Sequence, residues 1–359
     1  MAATHTDRIT IQSWLLPVAA LAGGLLLGES GNWIVGAALA VLLIGSVMAA
    51  VHHAELVALW VGEPYGTLVL TLAVTIIELA LIVSLMLSGE PNPNLARDTV
   101  HAVVMLVLNG LAGISIVAGT LRHREQEFQT LGANAFLAVL VPMAMLVLVL
   151  PNYTLATPGP YYSKLQLLFV GSACFALYLV FLFVQTVRHQ DYFVPSSTTE
   201  VEVAATPPTR IGAISGGLLV LSLVAVILLA KLLSPFIERS ILAAGAPFKL
   251  AGVLVAAIVL LPELAASLRA ARRNELQSSI NLALGSAVAC IGLTVPAVAV
   301  IAIWLDRPLA LGIDNESTVL LVLSFLVAML TYGQGRTNLL SGFVHLVLLA
   351  CYVFLIFAP

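Results

Sequence analysis

Charge is what this sequence has least of. Only 9% of its 359 residues are charged, while 60% are hydrophobic. A soluble domain carries roughly 25% charged residues. Fifteen Lys and Arg against eighteen Asp and Glu give a net charge of −3. An ordinary soluble enzyme and a disordered chain are excluded, and so is a nucleic-acid binder, which needs a basic surface. Cysteine is scarce too. Cys174, Cys290 and Cys351 each sit in an apolar run and form no spaced pair, so neither a disulfide framework nor a zinc site is implied. The chain contains no GxxxxGK[ST] loop, no HExxH and no GxSxG. ATP-driven pumping and metalloprotease chemistry lose their support, and no cofactor is expected.

What the sequence has is long apolar runs. A bilayer core about 30 Å thick asks for roughly 20 apolar residues per spanning helix. Eleven segments are candidates: 12–28, 33–51, 66–88, 99–119, 132–150, 163–186, 211–233, 248–269, 280–304, 317–332 and 338–357. The first and tenth are short, and the second could continue past His52 and His53 towards Trp60. The runs are apolar all round rather than alternating, which favours helices over barrel strands. The expected fold is an all-α polytopic membrane protein with about eleven transmembrane helices.

The N-terminal segment carries one Arg, Arg8, and no convincing small-residue cleavage site, so it reads as retained. Loop Lys and Arg set the orientation. With the N-terminus in the cytoplasm, Arg8, Arg122, Arg124, Arg188, Arg210, Arg269, Arg272, Arg273 and Arg336 fall inside. Arg97, Lys164, Lys231, Arg239, Lys249 and Arg307 fall outside, nine against six. The expected location is a bacterial inner membrane with the N-terminus cytoplasmic.

The longest polar gap, 188–210, contains PSSTTEVEVAATPPT and has no apolar periodicity, as a flexible linker would. It divides the chain into an N-terminal segment with the first helix (1–32), a first five-helix unit (33–187), the linker (188–210) and a second five-helix unit (211–359). An odd-numbered unit repeated in tandem enters from opposite sides of the membrane. Such inverted repeats mark transporters, with the substrate site near the midplane. The residues can be matched. The third span holds Glu78 in GTLVLTLAVTIIELALIVSL, and the eighth holds Glu263 in AGVLVAAIVLLPELAASLRA. Downstream, Arg97-Asp98 falls on Asn274-Glu275 and Asn109 on Ser286.

A carboxylate at mid-bilayer costs about 2.5–3.5 kcal/mol on insertion scales, so it normally faces a cavity or the bundle interior. Glu78 and Glu263 are the acidic residues nearest the middle of a span. Two carboxylates in one dry site repel, so the pair holds protons or a cation but not both fully. That competition is the physical core of cation/proton exchange. A hard cation also wants neutral oxygens. Thr67, Thr71 and Thr75 lie near Glu78, and Asn109, Ser278, Ser279, Asn281 and Ser286 lie on neighbouring spans. Pro262 frees a carbonyl one turn before Glu263. A lone Ser or Thr more often bonds back to its own helix. Asp98 and Glu275 start two spans, where favouring a helix N-terminus competes with an ion-access role. His52, His53 and Glu55 form HHAE, a weak metal motif and equally an interface or proton-access cluster. His345 reads as a packed, hydrogen-bonded histidine. Gly110, Gly113 and Gly119 allow close helix contact.

The stretches GEPYGTLVLTLAVTIIELALI, LARDTVHAVVMLVLN, LRHREQEF and LLPELAASLRAARRNELQSSINLALGSA resemble the ChaA-type bacterial cation/proton antiporters of the calcium/cation antiporter superfamily. The resemblance implies one extra N-terminal helix plus two inverted five-helix repeats. It implies Glu78 and Glu263 as cation, metal and proton ligands, with Asn109 and Ser286 flanking them. Thr75, Asn281, Asp98, Glu275 and Glu55 are accessory candidates. The Gly-Asn pair that calcium/proton exchangers carry before each glutamate is replaced here by VTIIE and VLLPE.

The expected activity is secondary antiport of cytosolic Ca2+, Na+ or K+ for external protons, not enzymatic catalysis. The alternative is a passive cation channel. The expected partners are inorganic cations, protons and the lipid bilayer, with no nucleic acid and the oligomeric state open.

Overall fold

The computed structural model describes residues 11–27, 32–62, 65–87, 92–193 and 207–358. In chain order the helices are α1 (Ile11–Leu27), α2 (Trp33–Val61), α3 (Tyr65–Leu87), α4 (Leu95–Met105) and α5 (Ala112–His123). They continue with α6 (Thr130–Ala144), α7 (Lys164–Phe183), α8 (Thr209–Ala243), α9 (Lys249–Arg272) and α10 (Leu276–Ala289). The last are α11 (Val295–Trp304), α12 (Asn315–Tyr332) and α13 (Leu339–Phe357). Two short strands, β1 (Glu125–Glu127) and β2 (Arg336–Asn338), pair antiparallel.

Among the described residues, ten helical stretches are long and apolar enough to cross a membrane, and a shorter apolar helix, α1, precedes them. The all-helical polytopic architecture is as the sequence predicts. The second span does run past His52 and His53, as far as Val61. The seventh is longer than its expected 211–233, because α8 continues through Pro235 for 35 residues in all. Two spans carry a π-helical turn in the middle. Leu106–Leu111 joins α4 to α5, and Cys290–Thr294 joins α10 to α11.

The helices form two compact units, and each draws on both halves of the sequence. The first unit, Met1–Pro91 with Glu200–Gly245, contains α1, α2, α3 and α8. Its two long helices, α2 and α8, run antiparallel. Gly36 lies under the Phe236 ring at one end, and Gly212 lies under the Trp60 ring at the other. Any side chain at either glycine would collide with an aromatic ring, so the glycines set how closely the helices approach. Gly23 and Gly24 of α1 likewise face Leu42 and Leu228.

The second unit, Asn92–Thr199 with Ala246–Pro359, contains the remaining helices. Its axis is the parallel pair formed by the α4–α5 span and α9. A Cβ at Gly252 would lie 2.7 Å from the Asp98 carbonyl carbon and the Thr99 amide nitrogen. Further along, Ser115 and Ser267 meet at 3.0 Å. At α5 and α13, a Cβ at Gly113 would lie 3.2 Å from the Gly342 carbonyl oxygen, the close approach that the glycine spacing predicts.

At one end of this unit, His123 Nε2 lies 3.0 Å from the Arg272 carbonyl, and Gln126 donates to the Ala271 carbonyl. Arg122, Arg124, Arg269, Arg272, Arg273 and Arg336 therefore share that end, as their assignment to one membrane side requires.

The start of the expected flexible linker is instead ordered. Gln190–Phe193 forms a 3-10 turn, and Phe193 is buried with its ring 5.4 Å from Phe136 and 6.0 Å from Phe181. Aromatic burial outweighs the polar composition there. The rest of that linker up to residue 206, including Glu200 and Glu202, lies outside the described residues, as does Arg8.

Candidate ion site

In the first unit, Glu78 sits on α3, thirteen residues after its start at Tyr65, and its side chain is 2% exposed. Thr75 is also buried, and its hydroxyl donates to the Thr71 carbonyl at 2.8 Å. That is the back-bonding expected of a threonine in a helix, and it turns the Thr75 proton away from any ligand. The Thr67 side chain lies outside the described residues. On α2, His53 is fully buried while Glu55 is exposed. Among the described residues, no group of three or more His, Cys, Asp or Glu side chains could hold a metal ion. The HHAE run therefore does not assemble as a metal centre.

In the second unit, Glu263 sits on α9, fourteen residues after Lys249 and partly exposed. Pro262 has no amide to offer Ile258, so a backbone carbonyl one turn earlier loses its helical donor. One turn later, Ser267 is fully buried. Its hydroxyl meets Ser115 Oγ at 3.0 Å and Ser279 Oγ at 2.5 Å. These three serines knit α5, α9 and α10 together. Ser279 lay among the neighbouring-span candidates; Ser115 and Ser267 had no signal in the sequence beyond their small polar side chains.

The π-helical turn between α4 and α5 lies beside α9. The parallel register, from Gly252 against Asp98 to Ser267 against Ser115, sets Glu263 level with that turn. The turn carries Asn109, which is fully buried. Asn109 Nδ2 donates to Ser324 Oγ at 2.9 Å, and its Oδ1 lies 3.3 Å from His345 Nδ1. His345 Nε2 in turn lies 3.1 Å from Thr331 Oγ1. His345 is thus packed and hydrogen-bonded, as the sequence predicts. A π-helical turn widens the backbone and often marks a functional position.

The remaining candidates separate. Ser286 is half-buried on α10. Asn281 donates to the Phe193 carbonyl at 2.6 Å and accepts from Gln277 Nε2 at 2.8 Å, so its amide holds the chain after α7. Glu275 takes the N-cap position of α10 with its side chain exposed and makes no capping bond. Asp98, in the first turn of α4, is buried and paired with Arg97 at 2.8 Å. Arg97 also donates to the Gly312 carbonyl.

Asp314 caps α12 by accepting from the Ser317 amide at 2.8 Å, and it pairs with Lys249. Burial works to raise the Asp314 carboxyl, but the Lys249 ammonium and the Ser317 amide and hydroxyl outweigh it and hold it below the usual carboxylate range. Tyr162 donates to the Leu146 carbonyl at 2.6 Å within the π-helical turn Met145–Val149. Burial pushes its hydroxyl up to about 12, with Cys174 adding to the shift, so it stays a donor.

Comparison with known proteins fits this architecture. The profile described as sodium/calcium exchanger protein matches residues 31–187 and 214–358. A protein of Sinorhizobium fredii called y4hA is 49% identical over 324 residues, covering 89% of this chain and 87% of its own. The sodium-potassium/proton antiporter ChaA of Escherichia coli is 35% identical over 354 residues, 96% of each chain. Among solved structures, native YfkE superposes with a TM-score of 0.75 at 17% identity, covering 97% of this chain and 99% of its own. That last likeness concerns the fold.

Proposed function

The chain belongs to the sodium/calcium exchanger protein family, and from that premise we propose that it exchanges cytosolic cations for external protons, with Glu78 and Glu263 as the cation and proton ligands. The observation that carries this reading is the whole-length match to a cation/proton antiporter, joined to a glutamate at a matched depth in two corresponding helices, buried at Glu78 and partly exposed at Glu263. Glu78 stands thirteen residues into α3 and Glu263 fourteen into α9, and each helix follows an unusually long one. Two copies of a long helix followed by a glutamate helix support an inverted repeat.

The chemistry follows from charge. An unprotonated pair attracts a cation, and protonation of the pair releases it. Sliding of the repeat elements would expose the pair to one side and then the other. As a secondary transporter the chain needs no nucleotide. Na+ and K+ rank first as cargo, because the Escherichia coli relative is named for them. Ca2+ remains a third substrate to test, since YfkE is described as a Ca2+/H+ antiporter and two carboxylates suit a divalent ion. The positive-inside pattern supports an N-terminus in the cytoplasm, and the two bacterial relatives support a bacterial inner membrane.

The test is a proteoliposome with a preset pH gradient. Addition of Na+, K+ or Ca2+ in turn should dissipate the gradient for at least one ion. Dissipation by none of the three would overturn the reading. Equal cation flux with the proton gradient collapsed would replace it by a channel.

A further inference from the structure

The second unit contains a cavity that the paired-glutamate reading leaves unused. It lies where α4, α9 and α12 begin and α13 ends. Its walls include Asp98, His101, Lys249, Asp314, Glu316 and Tyr352. The mouth is wet. The Lys249 and Asp314 side chains are 35% and 41% exposed, and Glu316 is exposed. The floor is dry. His101 and Tyr352 are buried, and their rings meet edge-on at 5.3 Å.

The telling atom is His101 Nε2. It is buried, it lines a charged cavity, and it has no hydrogen-bond partner among the described residues. A buried polar atom without a partner costs about 1–3 kcal/mol, and natural folds rarely leave one without a use. The other groups around it are spoken for. Asp98 holds Arg97, and Asp314 holds Lys249. A metal ion would have to displace two bound cationic side chains, and no three-ligand group exists among the described residues. A proton needs only the lone pair of one imidazole nitrogen and displaces no charged side chain.

We propose that this cavity is a proton-uptake site, separate from the paired glutamates, in which His101 Nε2 accepts a proton from water at the mouth. The inference rests on the antiport reading and deepens it. Asp98, Asp314 and Glu316 attract the incoming proton, while Lys249 repels it and Arg97 neutralises Asp98. The site stands at the end of the unit opposite the arginine cluster, which is the outer side in the proposed orientation. Lys249 precedes Glu263 by fourteen residues, about 21 Å of helix. The cavity therefore collects protons at the surface rather than binding the transported cation.

The experiment measures cation-dependent proton flux in proteoliposomes against the pH facing this cavity. Wild type is compared with His101→Gln and Lys249→Met. His101→Gln should raise the apparent KM for protons about tenfold, the equivalent of one pKa unit, while most of the maximum rate returns at saturating proton concentration. Lys249→Met should move the apparent KM the opposite way, a sign that a merely structural role would not produce. It also keeps the test open should His101→Gln fail to fold. An unchanged proton KM in folded His101→Gln, or in Lys249→Met, overturns the uptake site and leaves antiport standing. Absence of cation-dependent proton flux in wild type overturns both.

Discussion

His345 Nδ1 lies 3.3 Å from Asn109 Oδ1, tying α13 to the π-helical turn inside the α4–α5 span. Both side chains are fully buried. Thr331 closes the far side of the imidazole, and Ser324 accepts from the Asn109 amide. Removing one member leaves the others unsatisfied in an apolar interior. His345→Ala should therefore destabilise the protein by about 2–3 kcal/mol, the cost of orphaned buried groups plus a small cavity. Thermal melting in detergent checks it; an unchanged melting temperature would mean that the network contributes nothing.

Gly252 faces the Asp98–Thr99 backbone so closely that an added Cβ would lie 2.7 Å from it. Backbone yields less readily than a side-chain tip. Gly252→Ala should push α9 away from α4 and cost about 1–3 kcal/mol. Gly216 has open space around its Cβ position in the interior of α8, so Gly216→Ala is the control and should melt at or above wild type.

The Asp314 carboxyl is held below its ordinary range in the folded protein. An unfolded Asp titrates near about 3.9. A depressed folded value means stability that is present above that pH and lost as pH falls towards the folded value. Asp314→Asn should therefore lower the melting temperature at neutral pH, and the gap to wild type should close on acidification below about pH 4. A gap that widens in acid would contradict the assigned interactions. The Lys249 partner is partly exposed, so high salt should shrink the effect.

Tyr162 offers its hydroxyl to the Leu146 carbonyl at 2.6 Å. Tyr162→Phe removes the donor and nothing else. The expected loss is about 1 kcal/mol, read as a lower melting temperature. Melting indistinguishable from wild type would show that water substitutes for the phenol.

The spans were legible because each is apolar over a bilayer's thickness, and local composition alone carries that signal. The extension of α2 past His52 and His53 was readable for the same reason. The π-helical turn at Asn109 was not, because the helices packed around it, α9, α12 and α13, come from distant segments. The linker misled at its start, where Phe193 meets Phe136 and Phe181 from distant segments. Ser115, Ser267 and Ser279 looked like ordinary helical serines and became a cluster only through the register of three helices. The cavity around His101 draws on residues from Asp98 to Ile356, and no local pattern joins them.

The central claim is that Glu78 and Glu263 hold protons and a cation in competition. Its most direct measurement is proton release when the transported cation is added to weakly buffered, detergent-solubilised protein. The account predicts a pH drop in wild type that disappears in Glu78→Gln and in Glu263→Gln, with both variants still folded. Full proton release in either variant would contradict it.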